Sequence, residues 1–402
     1  MDSGIFRNEI LSELEGNILP FWLSLKDPRG GFYGEVTSDG TVMKDASRGE
    51  ILNARIIWTF AAAYNALGKE EYLSAAIHAR NWFVSNLIDH ENGGTFWTVS
   101  ADGSPLDTKK QLYTQAFAIY AFSELYKATS DRSDLEVAVN LFDVVEREFA
   151  DPLYRGYMEA LSRDFSPLED MSLSAHDINA DKTMNSHLHL LEAYANLYQV
   201  WPEPALKMAL IGLVNLMCER IMSPSGHLDL YFTKDWTVIP GAVSYGHDIE
   251  TSWLLLECAL ATGDPSLIEY VKPYCQSLGK AGNEGCLADG SMMYESLPDG
   301  SSDLSRQWWV QAETVVGNLW LWKYHADPEG FPRAFRCWRW IKSHLLAPSC
   351  HSERSEEPLP GEWYWGTLAD GITPDLANPK AGIWKCPYHN ARMCLEVLKC
   401  LG

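Results

Sequence analysis

Residues Ser244–Leu256 read SYGHDIETSWLLL. Ile249, Trp253, Leu254 and Leu256 recur at helical spacing, and Gly246 reads as a tight turn just ahead of them. The stretch therefore looks like a loop entering a buried helix, with His247 at its mouth beside Asp248 and Glu250. An imidazole flanked by carboxylates at a helix mouth suits proton transfer.

The same grammar recurs along the chain. Segments 52–67, 111–126, 184–198, 247–260, 307–322 and 387–401 are apolar on nearly all sides, as helices buried all round must be. Between them lie one-sided helices at 5–25, 70–88, 132–149, 203–222, 265–281 and 328–346, the first carrying Ile5, Ile10, Leu14, Ile18 and Trp22 on its apolar face. Loops rich in Gly, Asp and Trp precede the buried members, such as ENGGTFWTVSADGSPLD at 91–107. Six buried helices alternating with six amphipathic ones predict an all-α fold, an (α/α)6 barrel. In such a toroid each hairpin covers the next and the inner-helix entrances share one mouth. An open solenoid is the alternative, but it needs polar end caps, and the last helix is as apolar as the rest. One domain over 1–402 follows. The polar segment APSCHSERSEEPLPGE at 347–362 reads as a surface insert, and no role is assigned to its Cys350 or His351.

The chain carries 54 acidic and 32 basic residues, a net charge of -22, which argues against nucleic acid or an anionic membrane as partner. Core packing can absorb many of the 16 Trp, 18 Tyr and 14 Phe, and a surplus of Trp also suits stacking on sugar rings. Nine Cys without regular spacing, several in apolar helical runs (Cys218, Cys258, Cys394), read as reduced core residues. The opening MDSGIFRNEILSELEGN lacks a signal-peptide pattern, and no apolar run reaches the ~18 residues of a membrane span, so the cytoplasm is expected.

Polar residues gather at the starts of the buried helices: Arg55, Tyr113, Asn185, His187, His189, His247, Glu250, Glu313, His389 and Arg392. Taken singly, each reads as hydrogen-bonded scaffold or half of an ion pair. Taken together, three histidine-bearing segments at equivalent repeat positions point to one cavity. Asp248 reads as a helix cap. His187 and His189 lie ~200° apart on a helix, HExxH and zinc-type Cys/His spacings are missing, and no metal is expected. GxSxG and Gly-rich phosphate loops are missing too. Glu250, Glu313 and Asp248 keep a glycoside hydrolase open, which needs two facing carboxylates.

NARIIWTF, KTMNSHLHLLEAY, SYGHDIETSWLL, WWVQAE and WKCPYHNARMCLE, in this order from Asn53 to Glu396, together resemble the cellobiose 2-epimerases of the N-acylglucosamine 2-epimerase superfamily. The resemblance implies an (α/α)6 barrel that uses no cofactor. It also implies inversion at C2 of the reducing-end sugar of a β-1,4-linked disaccharide through an enediolate. It makes His247 and His389 acid/base groups and His189 the third histidine, with His187 the alternative there. Arg55 becomes the sugar-oxygen contact, and Trp309 and Trp384 the stacking rings, with Trp308 as a substitute for Trp309. Tyr113, Asn185, Glu250 and Glu313 are expected around the substrate, a small oligosaccharide, and the protein is expected as a monomer or weak homodimer. Mannobiose and N-acylglucosamine epimerases and aldose–ketose isomerases are neighbouring readings.

Overall fold

The computed structural model describes residues 2–174, 177–346 and 361–402. Its first outer helix consists of α1 (Ser3–Glu13) and α2 (Leu19–Ser24), joined by a π turn at Leu14–Ile18. Five hairpins follow, each an inner helix and then an outer one: α3 (Glu50–Leu67) and α4 (Glu70–Asn86), α5 (Leu112–Thr129) and α6 (Arg132–Val144), α7 (Met184–Tyr198) and α8 (Pro204–Leu216), α9 (Tyr245–Thr262) and α10 (Pro265–Gly282), α11 (Trp308–His325) and α12 (Gly330–His344). The last inner helix is α13 (Tyr388–Leu401).

Neighbouring inner helices touch in sequence, and α13 packs on α3, so the inner ring closes. The N-terminal helix packs outside α13 and completes the outer ring. This is the (α/α)6 toroid. Closure explains why the inner helices are apolar all round: α3 and α5 are buried over almost their whole length. The first helix differs in detail. Phe6 is buried and Ile5 is exposed, because α1 turns the Phe6 side toward Phe331, Phe335 and Trp338.

The mouth is tied by short strands that periodicity did not reveal. The two residues before an inner helix pair antiparallel with the hairpin of the next repeat: Arg48–Gly49 with Thr98–Val99, Lys110–Gln111 with Ala160–Leu161, and Lys182–Thr183 with Tyr231–Phe232. The series continues with Val243–Ser244 on Glu295–Ser296 and Arg306–Gln307 on Gly366–Thr367. Val36 bridging Ala381 closes it. Two-residue strands carry no alternation signal, so they are invisible to a pattern of period two. Ion pairs lock the first three: Asp27–Arg48, Asp89–Lys110 at 2.9 Å and Asp151–Lys182 at 2.9 Å, all buried.

Gly246 lies within the first turn of α9 rather than in a turn ahead of it. Its lack of a side chain serves close packing: a Cβ there would lie 2.7 Å from the Trp309 ring. Most of the 347–362 segment lies outside the described residues, but its last residue, Glu362, is fully buried. Glu362 accepts hydrogen bonds from Asn390 Nδ2 and Trp22 Nε1 and pairs with Lys385, so it belongs to the core and not to a surface loop. No helix among the described residues is long and apolar enough to cross a membrane.

Candidate active site

The fourth residue of each of the first five inner helices is polar: Asn53, Gln115, His187, Asp248 and Gln311. Four of these accept a backbone N–H from the preceding outer loop. Gln115 Oε1 takes Thr95 N at 2.9 Å, His187 Nε2 takes Tyr157 N at 3.0 Å, Asp248 Oδ1 takes Leu228 N at 2.9 Å and Gln311 Oε1 takes Met292 N at 2.9 Å. These side chains staple loop to barrel, since a buried N–H left unpaired is costly. Asp248, which also accepts from His227 Nδ1, is therefore a staple and does not cap α9.

Two residues further on, the inward positions are Arg55, Phe117, His189, Glu250 and Glu313, with Arg392 in the matching place two residues after Asn390. This ring is the floor of the site. His187 thus drops out of the choice left open by the sequence. Its Nδ1 bonds Thr183 O at 2.7 Å and its ring packs on Trp236, whereas His189 meets Tyr113, Phe117 and Tyr388.

Arg392 sits at the centre of the floor. Its guanidinium donates to Glu192, Glu250 and Glu313, the last at 2.7 Å. Two of those carboxylates back a histidine: His189 Nδ1 lies 3.0 Å from Glu192 and His389 Nδ1 lies 2.8 Å from Glu313. Trp253 donates to the second oxygen of Glu313 at 3.0 Å. A histidine nitrogen facing a carboxylate carries the proton there, which leaves Nε2 as the working nitrogen.

His247 is held differently, by Ser244 Oγ at 2.8 Å from Nδ1. Its ring lies 4.7 Å from that of Trp309, and His389 lies 5.7 Å from the same indole. The two imidazoles therefore both meet the same indole. Trp309 is the ring that meets both histidines, whereas Trp308 packs tilted against Trp365 at 4.6 Å and meets only His389, at 6.5 Å. Trp384 is half-buried on the other side, against Trp97 and Tyr113. Arg55 donates to Tyr113 OH at 2.8 Å and lies over the Phe117 and Tyr388 rings, with no ion-pair partner among the described residues. Asn185 stands at the first turn of α7 with a buried, unpaired Oδ1.

Burial sets the protonation states. It pushes His247 down to about 3, with His189 adding to the effect. His389 and His189 are lowered as well, chiefly by burial. Burial and the adjacent Glu313 push Glu250 up to about 8. For Glu192 burial acts upward too, but Arg392 and His189 overcome it and hold the carboxyl at about 2. The donor atoms of Glu250, Glu313 and His389 all lie within 4.8 Å of one another, a grouping that spacing along the chain could not reveal. Arg392 already supplies the cation that both carboxylates bond.

Residues 31–389 match the family model of N-acylglucosamine 2-epimerase (GlcNAc 2-epimerase). The chain belongs to the N-acylglucosamine 2-epimerase family. Membership makes it an isomerase. Its relatives within that family include the cellobiose 2-epimerase of Bacteroides fragilis, 44% identical over 98% of this chain and 99% of that protein. The cellobiose 2-epimerase of Dictyoglomus turgidum is 35% identical over 99% of this chain and 100% of that protein. The solved structure of cellobiose 2-epimerase from Bacillus thermoamylovorans B4167 superposes with a TM-score of 0.91 at 38% identity, covering 98% of this chain and 99% of that one.

Within this epimerase-family site, sequence reasoning left Glu192, Trp253 and Ser244 without a role in the chemistry, and gave Arg392 none beyond its place at a helix start. Glu192 had a local signal, three residues after His189 on one helix face. Trp253 and Arg392 had none, since their partner Glu313 comes from another helix.

Proposed function

We propose that the protein inverts C2 of the reducing-end sugar of a β-1,4-linked disaccharide such as cellobiose, by proton abstraction and return through an enediolate. The observation that supports this most is the pair His247 and His389 set against one indole, Trp309. Inversion at a carbon requires a base on one face and an acid on the other. Two imidazoles from different helices facing one cavity supply them.

His247, kept neutral by burial and held at Nδ1 by Ser244, acts as a base through Nε2. His389 carries its Nδ1 proton toward Glu313, which stabilises the imidazolium when Nε2 is protonated. His189, backed by Glu192, assists ring opening, which exposes the C1 aldehyde and acidifies the C2 proton. Arg55, without an ion-pair partner among the described residues, places a fixed positive charge for the oxygen that becomes anionic in the enediolate. Trp309 and Trp384 offer apolar faces to the two sugar rings. Tyr113 and Asn185 offer hydrogen bonds.

Cellobiose incubated with the enzyme in D2O and followed by NMR tests the proposal. An isomer of unchanged composition carrying deuterium at C2 is expected. Release of glucose instead would make the protein a hydrolase, and an unchanged spectrum would make the site a binding pocket only.

A further inference from the structure

Three carboxylates meet one guanidinium on the floor of the barrel, and they are not equally provided for. Glu192 accepts from His189, Tyr388 and Arg392. Glu313 accepts from His389, Arg392 and Trp253. Among the described residues Glu250 accepts from Arg392 alone, through Oε1, and its Oε2 is buried with no partner. Tyr113 and Tyr388 also face Glu250, and neither is positively charged. Arg392 uses the same nitrogen for Glu250 and Glu313, so the two carboxylates divide one donor group.

Burying an anionic oxygen with no donor costs far more than burying a neutral hydroxyl. Two carboxylates this close to each other seldom ionise together. We propose that Glu250 is the uncharged member of the cluster, a carboxylic acid whose proton leaves Glu313 ionised behind His389. Glu250 is then a positioning residue that acts through Arg392 and Glu313. The charges on the floor balance: Glu192 and Glu313 are negative, Arg392 and Arg55 positive. A neutral Glu250 adds no negative charge beneath the developing enediolate. Ionised, it would oppose that charge and compete with Glu313 for Arg392. Burial pushes both carboxyls up; Glu313 adds to that push on Glu250, whereas Arg392 and Trp253 oppose it at Glu313.

The inference rests on the epimerase reading for its kinetic arm only. Gln is isosteric with a neutral Glu, keeps the oxygen that accepts from Arg392 and cannot ionise. Glu250→Gln should turn over cellobiose at least about tenfold faster than Glu250→Ala, which loses the Arg392 hydrogen bond, or Glu313→Gln, which loses the negative charge behind His389. It should also lack the alkaline fall in kcat expected of the wild type as Glu250 ionises. A folded Glu250→Gln as slow as Glu313→Gln overturns the proposal.

A second measurement needs no turnover. In wild-type protein labelled with [13C]glutamate at the side-chain carboxyl, one carbon resonance titrating near or above neutrality should vanish in Glu250→Gln. Loss only of a resonance titrating at an ordinary carboxylate pKa of about 4 overturns the proposal. If the wild type makes no isomer from cellobiose, the epimerase reading falls and the NMR titration still decides the state of Glu250.

Discussion

His187 and His189 leave the same helix two residues apart and do unrelated work. The first takes a backbone N–H from Tyr157 at 3.0 Å, and the second lies 3.0 Å from Glu192 among the rings that surround Arg55. Gln115 and Gln311 do in their repeats what His187 does in its own. His187→Gln is therefore expected to keep fold and turnover, whereas His189→Gln loses ~10²-fold or more in kcat. Parallel kinetics with circular dichroism on both variants checks this.

The same contrast extends to pH. Burial moves His187 from 6.5 to about 4, so the folded protein holds it neutral. A depressed folded value means that its contribution to stability is complete above about 6.5 and is lost as pH falls toward 4. Urea melts between these limits should show a shallower acid loss for His187→Gln than for the wild type.

Turnover should depend on both imidazoles at the Trp309 indole. His247→Ala and His389→Ala are each expected to lose ~10²–10⁴-fold in kcat while remaining folded. Wild-type rates of epimerisation by either variant would remove that residue from the chemistry.

Gly246 is a sensor of the indole's position. A Cβ there would meet Trp309 at 2.7 Å and Val310 at 2.9 Å. Gly246→Ala should displace the ring and raise KM by about tenfold, the equivalent of ~1.4 kcal/mol of misfit packing. An unaltered KM would mean that Trp309 does not bind sugar.

The buried pairs under the mouth are structural. Lys182 is 2.9 Å from Asp151, and both are shielded from water. Lys182→Met leaves an unpaired buried carboxylate and should cost about 3–5 kcal/mol, while adding Asp151→Asn should recover part of it. Denaturant midpoints of the single and double variants measure both.

Much of this was legible in the chain. Twelve helical segments, the alternation of all-round and one-sided apolar faces, and the polar residues at helix entrances are local properties. They depend on side chains spaced within one or two turns, and the sequence states them directly. Hence the toroid and the candidates Arg55, Tyr113, His247, Glu313 and His389 could be named before any coordinates. What the sequence could not weigh was partnership across the ring. Gly246 looked like a turn and Asp248 like a cap, because those are the commonest local uses of such residues. Trp309 approaching Gly246 and Leu228 donating to Asp248 come from distant positions and decide otherwise. Glu362 looked like loop until Trp22, from the far end of the chain, was seen to donate to it.

Sequence alone thus determined the helices, their alternation and which imidazoles exist. Only closure of the ring decided which of them share a cavity and that Arg392 binds three carboxylates at once. Hydrophobic periodicity is written into neighbouring residues, whereas charge balance among buried groups depends on distances that arise when α13 meets α3.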